Sequence, residues 1–175
     1  MRINIDKHVR ADNHSLDPAR FIMTTITDFM SKDHRSCDEL LVAVEHAVAK
    51  LSWEQARRAF LPFRTSMLQH FAAEESILFQ AFERGTGMYR GPTQVMRAEH
   101  AQMRQLLAAV ESALAEEEAD DYAGNAETLL IMLQQHNVKE ENVLYPMCDQ
   151  HLAAQVAVLL SELQQELAAR PEEGA

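Results

Sequence analysis

Six polar residues fall where helical periodicity calls for apolar ones: His34, His70, Glu74, His100, His136 and Glu140. Imidazole and carboxylate together suit iron, zinc or manganese, and the set lacks the thiolates that softer metals prefer. A titratable group on a core face costs stability unless it has a partner. A lone His-x-x-x-Glu on a helix is usually an exposed pair worth about 0.2–0.5 kcal/mol. Six such residues on apolar seams need one shared explanation, and a pair of metal ions would supply it.

The spacing is duplicated. His34 and His70 are 36 residues apart, as are His100 and His136, and an offset of 66 carries the first pair onto the second. Under that offset Glu74 falls on Glu140, Glu75 on Glu141, Leu78 on Leu144 and Phe79 on Tyr145. The segments HFAAEESILF and HNVKEENVLY share the pattern His-x-x-x-Glu-Glu-x-x-Leu-aromatic. Each half is therefore a helical hairpin offering one His from its first helix and a His/Glu pair from its second. Residues equidistant from a turn lie level in antiparallel helices. The midpoints of His34/His70, His70/His100 and His100/His136 are positions 52, 85 and 118, each at an expected turn. All four histidines then share one layer, with each Glu on the same face about 6 Å further along. Two such pairs can place two carboxylates between two metals.

Four helices must carry these residues. Apolar residues recur at three- and four-residue steps, the mark of helices facing one core. The first runs from about Met23 to Lys50, with a seam of Met23, Thr27, Met30, His34, Cys37, Leu41, Val44 and Val48. Ser52 and Gln55 form a capping-box pattern opening the second, whose seam is Phe63, Met67, His70, Glu74, Ile77 and Ala81. Pro62 predicts a kink there or a separate short helix. Gly85-Thr86-Gly87 closes it, and Gly91-Pro92-Thr93 leads into the third, with Met96, His100, Met103, Leu107, Val110 and Leu114. An acidic turn, Glu116 to Asp121, precedes the fourth, with Leu129, Leu133, His136, Glu140 and Val143, which Pro146 stops or kinks. A last amphipathic helix over about Met147–Ala169 presents Leu152, Val156, Leu159 and Leu163. Short connections predict an all-α, up-down-up-down antiparallel four-helix bundle with an additional C-terminal helix. Residues 1–20 read as an irregular polar arm and 21–175 as the bundle with its extra helix.

Composition agrees with a globular domain. The chain has 175 residues, of which 47% are hydrophobic and 25% charged, a balance that permits a core. Its net charge of −11 disfavours nucleic acid and anionic membrane surfaces as partners. No apolar run approaches the roughly 20 residues needed to cross a bilayer, and the start shows no signal-peptide pattern. Two cysteines, Cys37 and Cys148, make no disulfide framework and suit a reducing compartment, so a cytoplasmic location is expected.

Other reactive side chains read as structural. His8 and His14 belong to the polar arm, His46 points away from the His34 seam, and His151 has no partner at helical spacing. Glu75, Glu99 and Glu141 sit beside seam residues, facing solvent or supporting the ligands. Asp38, four after His34, is either a surface residue or an orienter of that ring. Cys37 reads as a small buried hydrophobe, and Tyr89 and Tyr145 offer redox chemistry by position alone.

Taken together, Asp33-His34-Arg35, HFAAEE from His70, Glu99-His100 and HNVKEENVLYP from His136 resemble the hemerythrin family, in its bacterial HHE cation-binding branch. The resemblance covers about residues 25–148. It implies a four-helix bundle around a non-haem di-iron centre, Fe-O-Fe or hydroxo-bridged, with zinc or manganese as other occupants. It further implies that His34 and His70 bind one iron, that His100 and His136 bind the other, and that Glu74 and Glu140 bridge them. Oxygen-carrying hemerythrins have a further His where this chain has Arg104, and end in His-x-x-x-x-Asp where this chain has His-x-x-x-Glu. Both departures favour HHE relatives linked to nitric oxide, oxidative stress or repair of iron–sulfur centres. The repair proteins carry an N-terminal cysteine-bearing domain, whereas Cys37 is the first cysteine here.

The leading expectation is a module that binds or senses dioxygen or nitric oxide. The alternatives are a di-iron enzyme of stress defence or cluster repair, and a structural bundle that takes up any available divalent metal. The sequence leaves the oligomeric state open.

Overall fold

A computed structural model describes residues 25–169. The expected arm, His8, His14 and Met23 lie outside the described residues. Within them the chain is helical, with no strand. Helix α1 spans Ile26–Ala49 and α2 spans Trp53–Ala73. A π-helical turn, Glu74–Leu78, joins α2 to α3, Phe79–Thr86, without leaving helical backbone. Helix α4 spans Pro92–Glu116. Helix α5, Ala119–Lys139, runs through a second π-helical turn, Glu140–Leu144, into α6, Tyr145–His151. Helix α7, Val156–Ala168, closes the described chain. No helix among these residues is long and apolar enough to cross a membrane.

The expected seams are largely the buried ones. All six named positions of α4, from Met96 to Leu114, are buried, as are Met30, His34, Cys37, Leu41 and Val44 of α1. The pattern slips by one residue after each His/Glu pair: Leu78 is buried instead of Ile77, and Leu144 instead of Val143, which is exposed. The π turns explain the slip. Each inserts one residue into the i→i−4 ladder, so an α-helical count made across it runs one position short. The two turns coincide under the 66-residue offset.

Three local expectations are corrected. Pro62 neither breaks α2 nor separates a short helix from it. Its ring is exposed while Phe60 and Phe63 on either side are buried, so both flanking turns stay anchored. Ser52 begins α2 but its side chain makes no capping hydrogen bond. Pro146 does not stop the fourth helical rod, because it sits in the first turn of α6 where the π turn has already interrupted the ladder. The stretch expected as one last helix therefore divides: Met147–His151 finish that rod, the chain turns at Leu152–Gln155, and α7 begins at Val156. Elsewhere Gly87 closes α3 at φ 74°, Pro92 starts α4 at its first position, and Asp120 and Asp121 lie in the first turn of α5.

Helix α1 packs along α2, α4 along α5 and α2 along α4, while α7 lies on α1, α2 and the first π turn. The apolar face of the last helix packs on this same chain, where Leu159 and Leu163 are buried. The apolar core divides into two clusters. One runs from Cys37 and Leu41 to Met103, Leu107 and Leu133, and the other gathers Ile26, Met30, Leu78, Phe82, Leu144 and Leu163. Along each rod the six polar residues fall between members of the two clusters. A polar layer is thus enclosed between two apolar ones.

Candidate metal centre

His34 is carried by α1, His70 by α2, His100 by α4 and His136 by α5, and Glu74 and Glu140 open the two π turns. All six are at most 4% exposed. The Nε2 atoms of His34 and His70 are 3.1 Å apart, and those of His100 and His136 are 3.0 Å apart. Two donors each about 2.1 Å from one ion, at right angles, stand about 3.0 Å from each other. Each histidine pair therefore has the spacing of two ligands on one metal.

The carboxylates join the pairs. Glu74 Oε2 lies 3.3 Å from His70 Nε2 and 3.2 Å from His100 Nε2. Glu140 places Oε1 3.2 Å from His136 Nε2 and Oε2 3.4 Å from His34 Nε2. The donor atoms fall into two sets, His34/His70/Glu140 and Glu74/His100/His136/Glu140, each within 4.8 Å. Glu140 belongs to both.

Every ring is held from behind by an acid of a neighbouring rod. His34 Nδ1 meets Glu141 Oε1 at 2.8 Å, His70 Nδ1 meets Asp33 Oδ2 at 2.8 Å, His100 Nδ1 meets Glu75 Oε1 at 2.8 Å and His136 Nδ1 meets Glu99 Oε2 at 2.9 Å. A carboxylate at Nδ1 places the ring proton there and turns the Nε2 lone pair inward, the arrangement of metal-binding histidines. Arg104 supports Glu75 and Lys139 supports Glu99. Burial works against charge on both acids, but these cations and the imidazoles outweigh it and lower both below the ordinary carboxylate range.

The layer calls for positive charge. Burial opposes ionisation of Glu74, yet His70 and His100 beside it hold its carboxyl well below the usual range. Burial likewise opposes a charged His70, but Glu74 and Asp33 raise it well above an ordinary histidine. Glu74 Oε2 and Glu140 Oε1 are nonetheless buried without a hydrogen-bond partner. A buried anion oxygen left so is expensive, and a cation between the oxygens and the inward lone pairs satisfies both. The nitrogen and oxygen donors, their spacing and the two orphaned oxygens fit a metal site.

All six residues read from the sequence thus come together. Asp33, whose supporting part the sequence reading missed, and Glu75, Glu99 and Glu141 prove to be the four ring supports. Each stands one residue from a ligand, and the pairs Asp33/Glu99 and Glu75/Glu141 obey the 66-residue offset. That regularity was the available signal. Asp38 makes no hydrogen bond to His34, whose Nδ1 is taken by Glu141. His46, Tyr89 and His151 are exposed and apart from the layer. Cys37 is buried, and burial pushes its thiol up to about 12. Tyr145 was named only by position, yet its hydroxyl lies inside the layer.

A helical fold with this duplicated His/Glu layer defines a metal-binding helical-bundle protein. The family model described as the hemerythrin HHE cation binding domain matches residues 25–148, and the chain belongs to that family. No curated protein and no solved structure matches it.

Proposed function

We propose that this chain holds two metal ions, iron by preference, and that the paired centre binds a small gas such as dioxygen or nitric oxide. The observation that carries this reading is the pair of buried, partnerless oxygens, Glu74 Oε2 and Glu140 Oε1, facing the Nε2 atoms of His70, His100 and His136. In this reading His34 and His70 hold one ion and His100 and His136 the other, with Glu74 and Glu140 as bridges. Zinc or manganese would satisfy the same donors; family membership favours iron.

Bound iron would supply reversible redox chemistry and coordination positions open to a small ligand. The protein's own contribution is to aim the four Nε2 atoms inward from rings held at Nδ1 and to enclose the layer between two apolar clusters. An up-down-up-down order of the rods belongs to the same proposal, supported by the short connections and by level pairing of residues equidistant from them.

Elemental analysis of protein grown with iron and purified without chelator tests the centre. About two irons per chain is the expected result, and none in well-folded protein would remove the reading. Visible spectra recorded with each gas then test the ligand: a change supports gas binding, and indifference to both gases rejects it. Repeated turnover with an added reductant would instead make the protein an enzyme.

A further inference from the structure

The repeat is symmetric in its four histidines, two glutamates and four supporting acids, but not in its aromatic position. Phe79 has no hydroxyl and stacks on His100 at 5.7 Å, whereas its counterpart Tyr145 is fully buried with its hydroxyl among the ligands. That hydroxyl lies 2.7 Å from Glu74 Oε1, 3.0 Å from Glu140 Oε2 and 3.2 Å from His34 Nε2. A phenol has one proton to donate. The shortest contact, with a carboxylate oxygen that faces no imidazole nitrogen, takes it.

The two glutamates differ accordingly. Glu74 commits Oε1 to the phenol and turns Oε2 alone toward both His70 and His100. Glu140 turns a separate oxygen toward each side, Oε1 to His136 and Oε2 to His34. We propose that Tyr145 is a positioning residue: by donating to Glu74 Oε1, it restricts Glu74 to meeting both ions through one oxygen, while Glu140 meets one ion with each of its oxygens. Two residues that the repeat makes equivalent thus become unlike bridges. The inference rests on the paired centre proposed above.

Wild-type and Tyr145→Phe protein, each loaded with zinc, would be crystallised and their metals counted. Phenylalanine is the residue the repeat already carries at Phe79, so the variant keeps the ring and loses only the hydroxyl. Two zinc ions are expected in both, with a one-oxygen contact from Glu74 in the wild type and a two-oxygen contact in the variant. An unchanged Glu74 would overturn the inference alone. So would a phenolate-to-iron absorption in ferric wild-type protein that disappears in the variant, because the phenol would then be a ligand rather than a donor. Absence of metal from both proteins would overturn the paired centre and this inference with it.

Discussion

Each histidine of the layer has a different neighbour on either side of its ring, an inward carboxylate at Nε2 and a supporting acid at Nδ1. The two kinds of acid should respond differently to substitution. Glu74→Ala removes an oxygen that faces both histidine pairs and is expected to lose at least one metal per chain by elemental analysis. Asp33→Asn leaves every donor atom in place but loses the charged support of His70. It should weaken metal binding by about 10–100-fold, the usual effect of disturbing such a partner, in competition with a chelator. His46→Ala should leave metal content unchanged, since His46 is exposed on another face of α1.

Helical rods bring these side chains level, and two devices in them are open to test. The π turns let His70 and Glu74, or His136 and Glu140, face the layer while shifting the following turns so that Leu78 and Leu144 face the core. Asp149 of α6 ties down the start of α1, accepting from the Ile26 N–H at 2.7 Å, the Thr27 N–H at 3.2 Å and the Thr27 hydroxyl at 2.6 Å. These N–H groups have no partner within their own helix. Asp149→Ala should therefore cost about 1–2 kcal/mol in urea unfolding, comparable to losing a helix cap. Its effect on metal stoichiometry should be nil, because Asp149 touches no ligand.

Over the whole molecule, the polar layer trades stability for function. Without a cation, buried oxygens lack partners between two apolar clusters. Ions that bind the native state alone stabilise it by about 4 kcal/mol when present at a thousand times their dissociation constant. For a chain of this size that is a rise in melting temperature of roughly 10 °C. Calorimetry before and after complete metal removal should show such a drop. An unchanged melting temperature would instead favour a structural bundle indifferent to its metals.

The sequence by itself determined the helical class, the six residues of the layer and their shared depth. Periodicity and a 66-residue repeat are local, countable properties, and burying a helix's apolar face requires no knowledge of its partner. The α-helical count failed where the period itself changes: each π turn moved the seam from Ile77 to Leu78 and from Val143 to Leu144. The separate short helix expected at Pro62 and the stop expected at Pro146 do not occur, because buried side chains anchor α2 on both sides of the first proline and a π turn has already opened the ladder before the second. Only the tertiary structure decided which acid supports which ring, since Asp33 serves His70 and Glu141 serves His34 across rods that sequence spacing cannot pair. It also decided that α7 packs on its own bundle and that the Tyr145 hydroxyl enters the layer. Those outcomes depend on how the helices are turned toward one another, and that rotation is fixed only when all of them pack at once.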